Sequence, residues 1–486
     1  MPRKLYLETF GCQMNVLDSE LVTGQLVGMG YEPTSDRGDA DVVIYNTCSV
    51  REHAEQKVWS RLGELKDAKA ERPDLVVGVI GCMAERDGND IFKRFPLVDL
   101  LCGPGELDKL PGMVHNAVTT SGGGQQAALM GANARRSSTL AAAEDHLENL
   151  DLSRAISPGD AGRQAYVRIT RGCNKFCTYC VVPYTRGPEV HRPPSNIVAE
   201  VKRLADAGVR EVTLLGQTIN HYDFDHGDGR RTTFADLLYE VHEAVPHLPR
   251  LRFVTSYPRD FTDAALDAMR DCERICRYLH VPAQHGDDRV LKAMNRGYTI
   301  GEYYEFVDRA KERMPDVSLC SDFIVGFPTE TEAEFQTTKD VIRRCGFKNS
   351  FIFKYSPRPG TVSIKRFDDD VSDEDKRRRC NELIAVQNEV SRRVNEEMVG
   401  QTVELMVEGE SRHSAKAYPS SNVALGGAFA KPKRSALTQL VGRTRGDQIV
   451  VFDGDPSLAG ELVDVEVTAA RGMTLFGSRA LAAAVA

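Results

Sequence analysis

Over the first hundred residues, apolar positions fall into short continuous runs. Between these runs they recur every three or four residues. LYLET (Leu5–Thr9), DVVIYN, LVVGVIG and LVDLLCG read as strands, with helices over Leu17–Gly28, Glu52–Ala70 and Arg86–Phe95 between them. Such alternation builds a parallel sheet with helices outside. From Gln164 it returns: AYVRIT, EVTLLG, LRFVTS, RYLHVP, VSLCSDFIVGF and SFIFKYS are strand candidates. Helical segments separate them at about 30–45 residues per repeat, which fits six βα units and a partial barrel. Asp373–Glu397 is a charged helix, and after Gly400 short alternating runs (TVELMVEG, QIVVFDG, LVDVEVTAA) predict a small β-barrel or sandwich.

The expected organisation is therefore α/β. A doubly wound domain spans 1–112, a flexible linker 113–160, a partial (β/α)6 barrel 161–395, a small all-β domain 396–470 and a tail 471–486. The linker reading rests on composition: TTSGGGQQAALMGANARRSSTLAAAEDH is rich in Gly, Ser and Ala without an apolar period.

Composition changes this picture little. With 486 residues, 41% hydrophobic and 27% charged, the chain is an ordinary globular protein of several domains. No run approaches the roughly 18 apolar residues of a membrane span, and MPRKLYLETF is no secretory leader, so a cytosolic, non-membrane protein is expected. A net charge of −8 argues against a protein coated in nucleic acid but leaves room for a local basic groove. Twelve cysteines are many for a reducing compartment, where metal or redox chemistry explains them better than disulfides.

Cys173, Cys177 and Cys180 form C-x3-C-x2-C directly after the first strand of the second domain. Three thiolates on one short loop can hold three irons of a cubane cluster and leave the fourth open to a non-protein ligand. Structural zinc is the alternative, but a closed zinc site needs four ligands and the nearest histidine, His191, is eleven residues on. Cys12, Cys48 and Cys82 each follow a different strand of the first domain. In a parallel sheet all strand C-termini open on one edge, so these three converge and are candidate ligands of a second cluster; three small buried residues are the alternative. Cys102 also ends a strand and is the rival ligand, in an apolar setting that favours packing. Cys272, Cys276, Cys320, Cys345 and Cys380 lack ligand-like spacing and read as buried thiols.

The trio after a barrel's first strand, with Tyr179 before the last cysteine, resembles the radical S-adenosylmethionine (SAM) superfamily. That resemblance implies SAM chelating the open iron and reductive cleavage to a 5′-deoxyadenosyl radical. LLGQTIN, with Gly216 and Gln217, occupies the place of the superfamily's amine-binding motif, departing from its Gly-Gly-Glu. DFIVGFPTE, with Ile324 and Gly326, resembles its adenine-side motif. Without the cysteines each reads better as an ordinary βα turn that needs glycine. GCNKFCTYCVVPYTRGPEVHRP, TFGCQMN, NTCSVRE, GCMAER, LKAMNRGYT and FKYSPRPGT together are similar to the methylthiotransferases, in particular the MiaB-type tRNA enzymes. The likeness covers all but the Gly/Ser/Ala segment. HVPAQHGDDRV departs from the family's QSGS-type run at His285 and Gly286.

The resemblance implies two [4Fe-4S] clusters. One is held by Cys173, Cys177 and Cys180; the other, held by Cys12, Cys48 and Cys82, carries the sulfur to be donated. One SAM methylates that sulfur and a second supplies the radical that takes hydrogen from C2 of an isopentenyl-adenosine beside the anticodon. No general acid or base is required. Implied partners are a tRNA anticodon stem-loop, a flavodoxin- or ferredoxin-type reductant and an iron–sulfur supply system, acting on a monomer. The small β domain takes the place of the family's RNA-binding TRAM domain. Candidate phosphate contacts are Arg186, Arg192, Arg358, Lys431, Lys433 and Arg434, each equally readable as a solvated surface charge. Rival readings are a methylthiotransferase acting on threonylcarbamoyl-adenosine or a ribosomal-protein aspartate, and a non-catalytic RNA-binding protein with structural metal.

Overall fold

The computed structural model describes residues 2–49, 52–120, 124–130, 147–154, 163–411 and 438–479. The N-terminal sheet contains β1 (Lys4–Phe10), β2 (Glu32–Pro33), β3 (Val42–Thr47), β4 (Val76–Gly81), β5 (Leu100–Cys102) and β6 (Gln126–Ala128), ordered 2-1-3-4-5-6. Every pairing is parallel. β3 and β4 are buried along their whole length, which is why their sequences are unbroken apolar runs. Helices α1 (Gln13–Gly28) and α2 (Glu52–Glu71) follow β1 and β3 and contribute to two separate apolar cores, one around Leu17, Leu21 and Val22 and one around Val58, Leu62 and Leu65.

The second domain has six parallel strands in two halves. β7 (Gln164–Arg168), β8 (Glu211–Leu215) and β9 (Arg250–Phe253) form one; β10 (Tyr278–His280), β11 (Ser318–Val325) and β12 (Asn349–Lys354) form the other. A parallel bridge, Leu251–Ile275, joins them. β7 and β12 do not pair, so the barrel is open along that side, the partial (β/α)6 arrangement expected. Its helices are fastened by capping boxes at Thr233, Thr299 and Thr331.

The third domain is a closed five-stranded barrel of β13 (Thr402–Glu410), β14 (Thr438–Thr444), β15 (Ile449–Gly454), β16 (Leu462–Arg471) and β17 (Thr474–Ser478). β17 lies in the expected tail, because the barrel needs it to join β15 and β16. This domain caps the N-terminal ends of the larger barrel's strands. Arg250, first in β9, donates to Glu404 O at 2.8 Å; Arg252 reaches Thr444 O at 2.9 Å; Lys348, just before β12, pairs with Asp447. No helix among the described residues is long and apolar enough to cross a membrane.

The segment 113–160 differs from the expected linker. Its first residues continue the helix Leu110–Thr119, and β6 adds to the sheet edge through backbone pairing. The helical residues 147–152 carry Glu148 and Asp151 into a buried ion network. There Arg168 bridges Asp18 of α1 (2.8 Å) and Asp151 (2.6 Å), Arg171 also pairs with Asp151, and Arg192 holds Glu148 (2.7 Å) and Glu200 (2.8 Å). This network ties the first two domains together through charges almost wholly removed from water.

Candidate active site

Cys12, Cys48 and Cys82 stand just past β1, β3 and β4, three adjacent strands in matched register: Phe10 pairs with Thr47, and Thr47 with Gly81. Neighbouring strands lie about 4.8 Å apart, so the three thiols converge at one edge. Cys12 caps α1 and Cys82 opens helix α3 (Cys82–Asp87). Gly81 takes φ +93°, and a Cβ there would lie 2.4 Å from Asn46 Oδ1. Only glycine makes that entry into Cys82 without strain. Beneath the triad Asn15 Nδ2 donates to Asn46 Oδ1 (2.9 Å), Asn46 returns a bond to Asn15 O (2.9 Å), and the Cys12 thiol reaches Asn15 Oδ1 (3.3 Å). A hydrogen bond with Cys48 lowers the Cys12 thiol, burial opposes it and nearby Arg186 adds to the lowering, leaving it at about 6. Burial pushes Cys82 up. The ligand form of cysteine is the thiolate, so Cys12 is a readier donor than Cys82.

The second triad lies on the loop after β7. Gly172, at φ +67°, would place a Cβ 1.9 Å from Pro188 O, so the loop's turn into Cys173 also requires glycine. Phe176 (φ 49°) and Asn295 (φ 58°) are strained side by side, with Asn295 Nδ2 donating to Phe176 O at 2.9 Å. Strain of this kind persists where surrounding structure over-determines it. Each sulfur has a polar neighbour: Thr218 Oγ1 to Cys173 at 3.6 Å, Arg296 Nη1 to Cys177 at 3.4 Å and Val182 N to Cys180 at 3.4 Å. Donors to sulfur are among the protein's means of setting an iron–sulfur potential. No three His, Cys, Asp or Glu among the described residues stand close enough to share one metal ion. Thiols that each take a separate corner of a cluster need not, and donor chemistry with N–H groups aimed at sulfur fits a [4Fe-4S] cluster at the second triad.

A salt-bridge clamp holds the second loop. Lys175 Nζ and His221 Nε2 both reach Asp260 Oδ2, at 2.6 and 2.8 Å, and His221 Nδ1 lies 3.3 Å from Glu189. Burial lowers His221, but its bonds to Asp260 and Glu189 raise it to about 9. A histidine raised on folding stabilises fully below its unfolded value of about 6.5 and loses that contribution as pH rises through the folded one. The melting temperature of the metal-free protein should therefore fall between pH 7 and 10 more steeply than that of His221→Gln. Parallel curves would contradict the clamp.

A cavity of about 830 Å3 occupies the larger barrel's interior. Cys12, Cys48, Gly216 and Gln217 line it at the strands' C-terminal end; Met406, Arg443 and Asp447 of the third domain close the other end. Cys12 and Cys48 of the first triad line the cavity with Gly216 and Gln217, and the next residue of that turn, Thr218, touches Cys173 of the second triad from outside the lining. Tyr179 and Ile324 both pack against the buried cluster of Val290, Met294, Phe327 and Tyr355. Gly326 takes φ +70°, its N–H bonded to Glu330. Neither Ile324 nor Gly326 lines the cavity.

Three expected phosphate contacts are corrected. Arg192 is 1% exposed and committed to Glu148 and Glu200. Arg186 holds Asp18 at 2.8 Å with a side chain 6% exposed, and Arg358 pairs with Glu55 at 2.6 Å with a side chain 11% exposed. Buried and paired, none presents its charge to RNA. Lys431, Lys433 and Arg434 lie outside the described residues. Cys102 is buried and donates to Glu106 O (3.2 Å). The His285–Gly286 departure is scaffold. His285 is buried against Glu330 (2.9 Å), and a Cβ at Gly286 would strike the Thr337 backbone at 2.6 Å. Sequence reasoning assigned no role to Asn15, Asn46, Thr218 or Arg296; their signal was position alone, inside CQMN, YNTC, LLGQTIN and MNRGYT.

Three family descriptions match successive parts of the chain: an uncharacterized protein family (UPF0004) over residues 4–103, the radical SAM superfamily over 167–342 and the TRAM domain over 433–479. A tRNA-2-methylthio-N(6)-dimethylallyladenosine synthase of Rhodopirellula baltica is 45% identical, covering 98% of this chain and 95% of that one. Proteins of the same name from Acetivibrio thermocellus and Neisseria gonorrhoeae are 41% and 39% identical, each over 98% of this chain and over 91% and 99% of theirs. Among solved structures, the radical SAM methyltransferase TsrM from Kitasatospora setae, with cobalamin and a [4Fe-4S] cluster bound, superposes with a TM-score of 0.50 at 16% identity, covering 75% of this chain and 77% of that one, a likeness of fold. With its cysteine-bearing α/β domain, open barrel and β-barrel cap in the order these families share, the chain belongs to the methylthiotransferase family of radical SAM enzymes, together with the tRNA-2-methylthio-N(6)-dimethylallyladenosine synthases.

Proposed function

We propose that the chain replaces the C2 hydrogen of an isopentenyl-adenosine, at position 37 beside the tRNA anticodon, with a methylthio group. The observation that carries this is the cavity: Cys12 and Cys48 of the first domain and Gly216 and Gln217, whose neighbour Thr218 touches Cys173, line one space large enough for a nucleoside beside SAM. Bound at the second triad, a [4Fe-4S] cluster and SAM supply the one-electron chemistry that removes hydrogen from a C–H bond, and a second cluster at Cys12, Cys48 and Cys82 supplies the sulfur. The chain's own part is to hold and orient. Arg296, Thr218 and the Val182 N–H face the sulfurs of the second triad. Asn15 and Asn46 brace the first, and the third domain closes the barrel's far end against water. Single-stranded loop bases are the ones a protein can splay out and enclose, which suits an anticodon loop. A flavodoxin- or ferredoxin-type donor and an iron–sulfur supply system complete the cycle, with the chain acting as a monomer.

The test is anaerobic reconstitution with SAM, a reductant and synthetic anticodon stem-loops, read by nucleoside mass spectrometry. The isopentenyl-adenosine RNA should gain a methylthio group and the threonylcarbamoyl-adenosine RNA should not. The reverse result, or metal-loaded protein that binds RNA without releasing 5′-deoxyadenosine, would overturn the proposal.

A further inference from the structure

We infer that Phe351 and Phe353 of β12, with the His280–Asp322 pair, form the subsite that receives the unpaired purine base; this rests on the function proposed above. Phe351 and Phe353 stand two apart on one strand and so share its inner face. They are 44% and 36% exposed, yet both line the barrel cavity. Two large rings left uncovered inside a cavity of mixed polar and apolar lining call for a flat apolar occupant. His280 stands edge-on to Phe351, with ring centroids 6.1 Å apart at 83°, and its Nε2 lies 3.0 Å from Asp322 Oδ1. The cavity therefore offers a stacking surface next to a polar pair. A purine has both matching features, a π-face and a hydrogen-bonding edge. The Asp322 carboxylate can accept the exocyclic N–H of an N6-substituted adenine, a contact that leaves C2 unobstructed.

The position separates this subsite from that of SAM. Gly216 and Gln217 follow β8 in the first half of the barrel, and Ile324 and Gly326, the expected adenine-side residues, lie at the end of β11 outside the cavity lining; His280, Asp322, Phe351 and Phe353 line the cavity from β10–β12. Two ligands can thus sit side by side in a cavity that Cys12 and Cys48 also line.

The experiment measures binding of two anticodon stem-loops to reconstituted holoenzyme with SAM, one carrying isopentenyl-adenosine and one abasic at that position. Base–aromatic stacking predicts that the wild type prefers the base-containing RNA by about tenfold. Phe351→Ala/Phe353→Ala should bind both RNAs alike, and Phe351→Tyr/Phe353→Tyr should restore the preference. Iron content and melting temperature identify a misfolded variant, in which case Phe351→Leu, which keeps the volume without the ring, replaces the double alanine and should lose the preference too. A full preference retained in folded alanine or leucine variants, while the wild type methylthiolates the isopentenyl RNA, would overturn the subsite alone. A wild type that methylthiolates neither adenosine RNA overturns the proposed function and the subsite with it.

Discussion

Cys12→Ala and Cys173→Ala are expected to fail in different ways. If each triad holds one cubane, reconstituted wild type should bind about eight irons per chain and either variant about four. Cys12→Ala should still release 5′-deoxyadenosine from SAM but form no methylthio product. Cys173→Ala should do neither. The asymmetry follows from placement: Cys173 touches Thr218 of the turn that leads into the cavity, whereas Cys12 belongs to the other domain's edge. Iron analysis with chromatography of both products checks this. Equal iron in all three proteins, or a Cys12 variant that still makes product, would contradict two separate clusters.

The second large effect concerns stability. Asp151 is buried among Arg168, Arg171 and Arg192, and Asp18 completes the path into the first domain. Removing one partner of a buried ionic network leaves uncompensated charge, at a cost of about 3–5 kcal/mol. Asp151→Ala should show that loss in denaturant unfolding. Glu396→Ala, which breaks the exposed Arg392–Glu396 pair, should cost less than about 1 kcal/mol. Burial alone would raise the Asp151 carboxyl, but the three guanidiniums hold it well below the usual carboxylate range. The sign follows: its contribution is full above the unfolded value of about 3.9 and is lost as pH falls below it. The wild type should therefore lose stability on acidification more steeply than Asp151→Ala. Equal acid sensitivity would show that the network contributes nothing in that range.

What could be read in the sequence was whatever depends on local pattern. The strands of both α/β domains announce themselves as apolar runs, and a cysteine after each of three strands must converge because parallel strands end on one edge. What could not be read depends on distant partners. Arg186 and Arg192 look like surface charges until Asp18, 168 residues away, and Glu148, 44 away, are seen to bury them. β6 joins its sheet by backbone pairing with β5, so QAA carries no apolar signature. Residues 147–152 are held by ion pairs to arginines on other elements together with only two apolar contacts, Leu147 and Leu150 on the first domain's core. The pairing of His285 with Glu330 likewise spans 45 residues, and neither residue's neighbours hint at it. The third domain docks by offering its own backbone carbonyls to Arg250 and Arg252 of the larger barrel, which no side-chain pattern of that domain encodes.

The central claim is that radical generation and sulfur delivery meet at one carbon in one cavity. The direct measurement uses an anticodon stem-loop deuterated at C2 of its isopentenyl-adenosine, incubated with the reconstituted enzyme and SAM. The deuterium should appear in 5′-deoxyadenosine in step with methylthio-nucleoside formation. Methylthio product formed with unlabelled 5′-deoxyadenosine would contradict it.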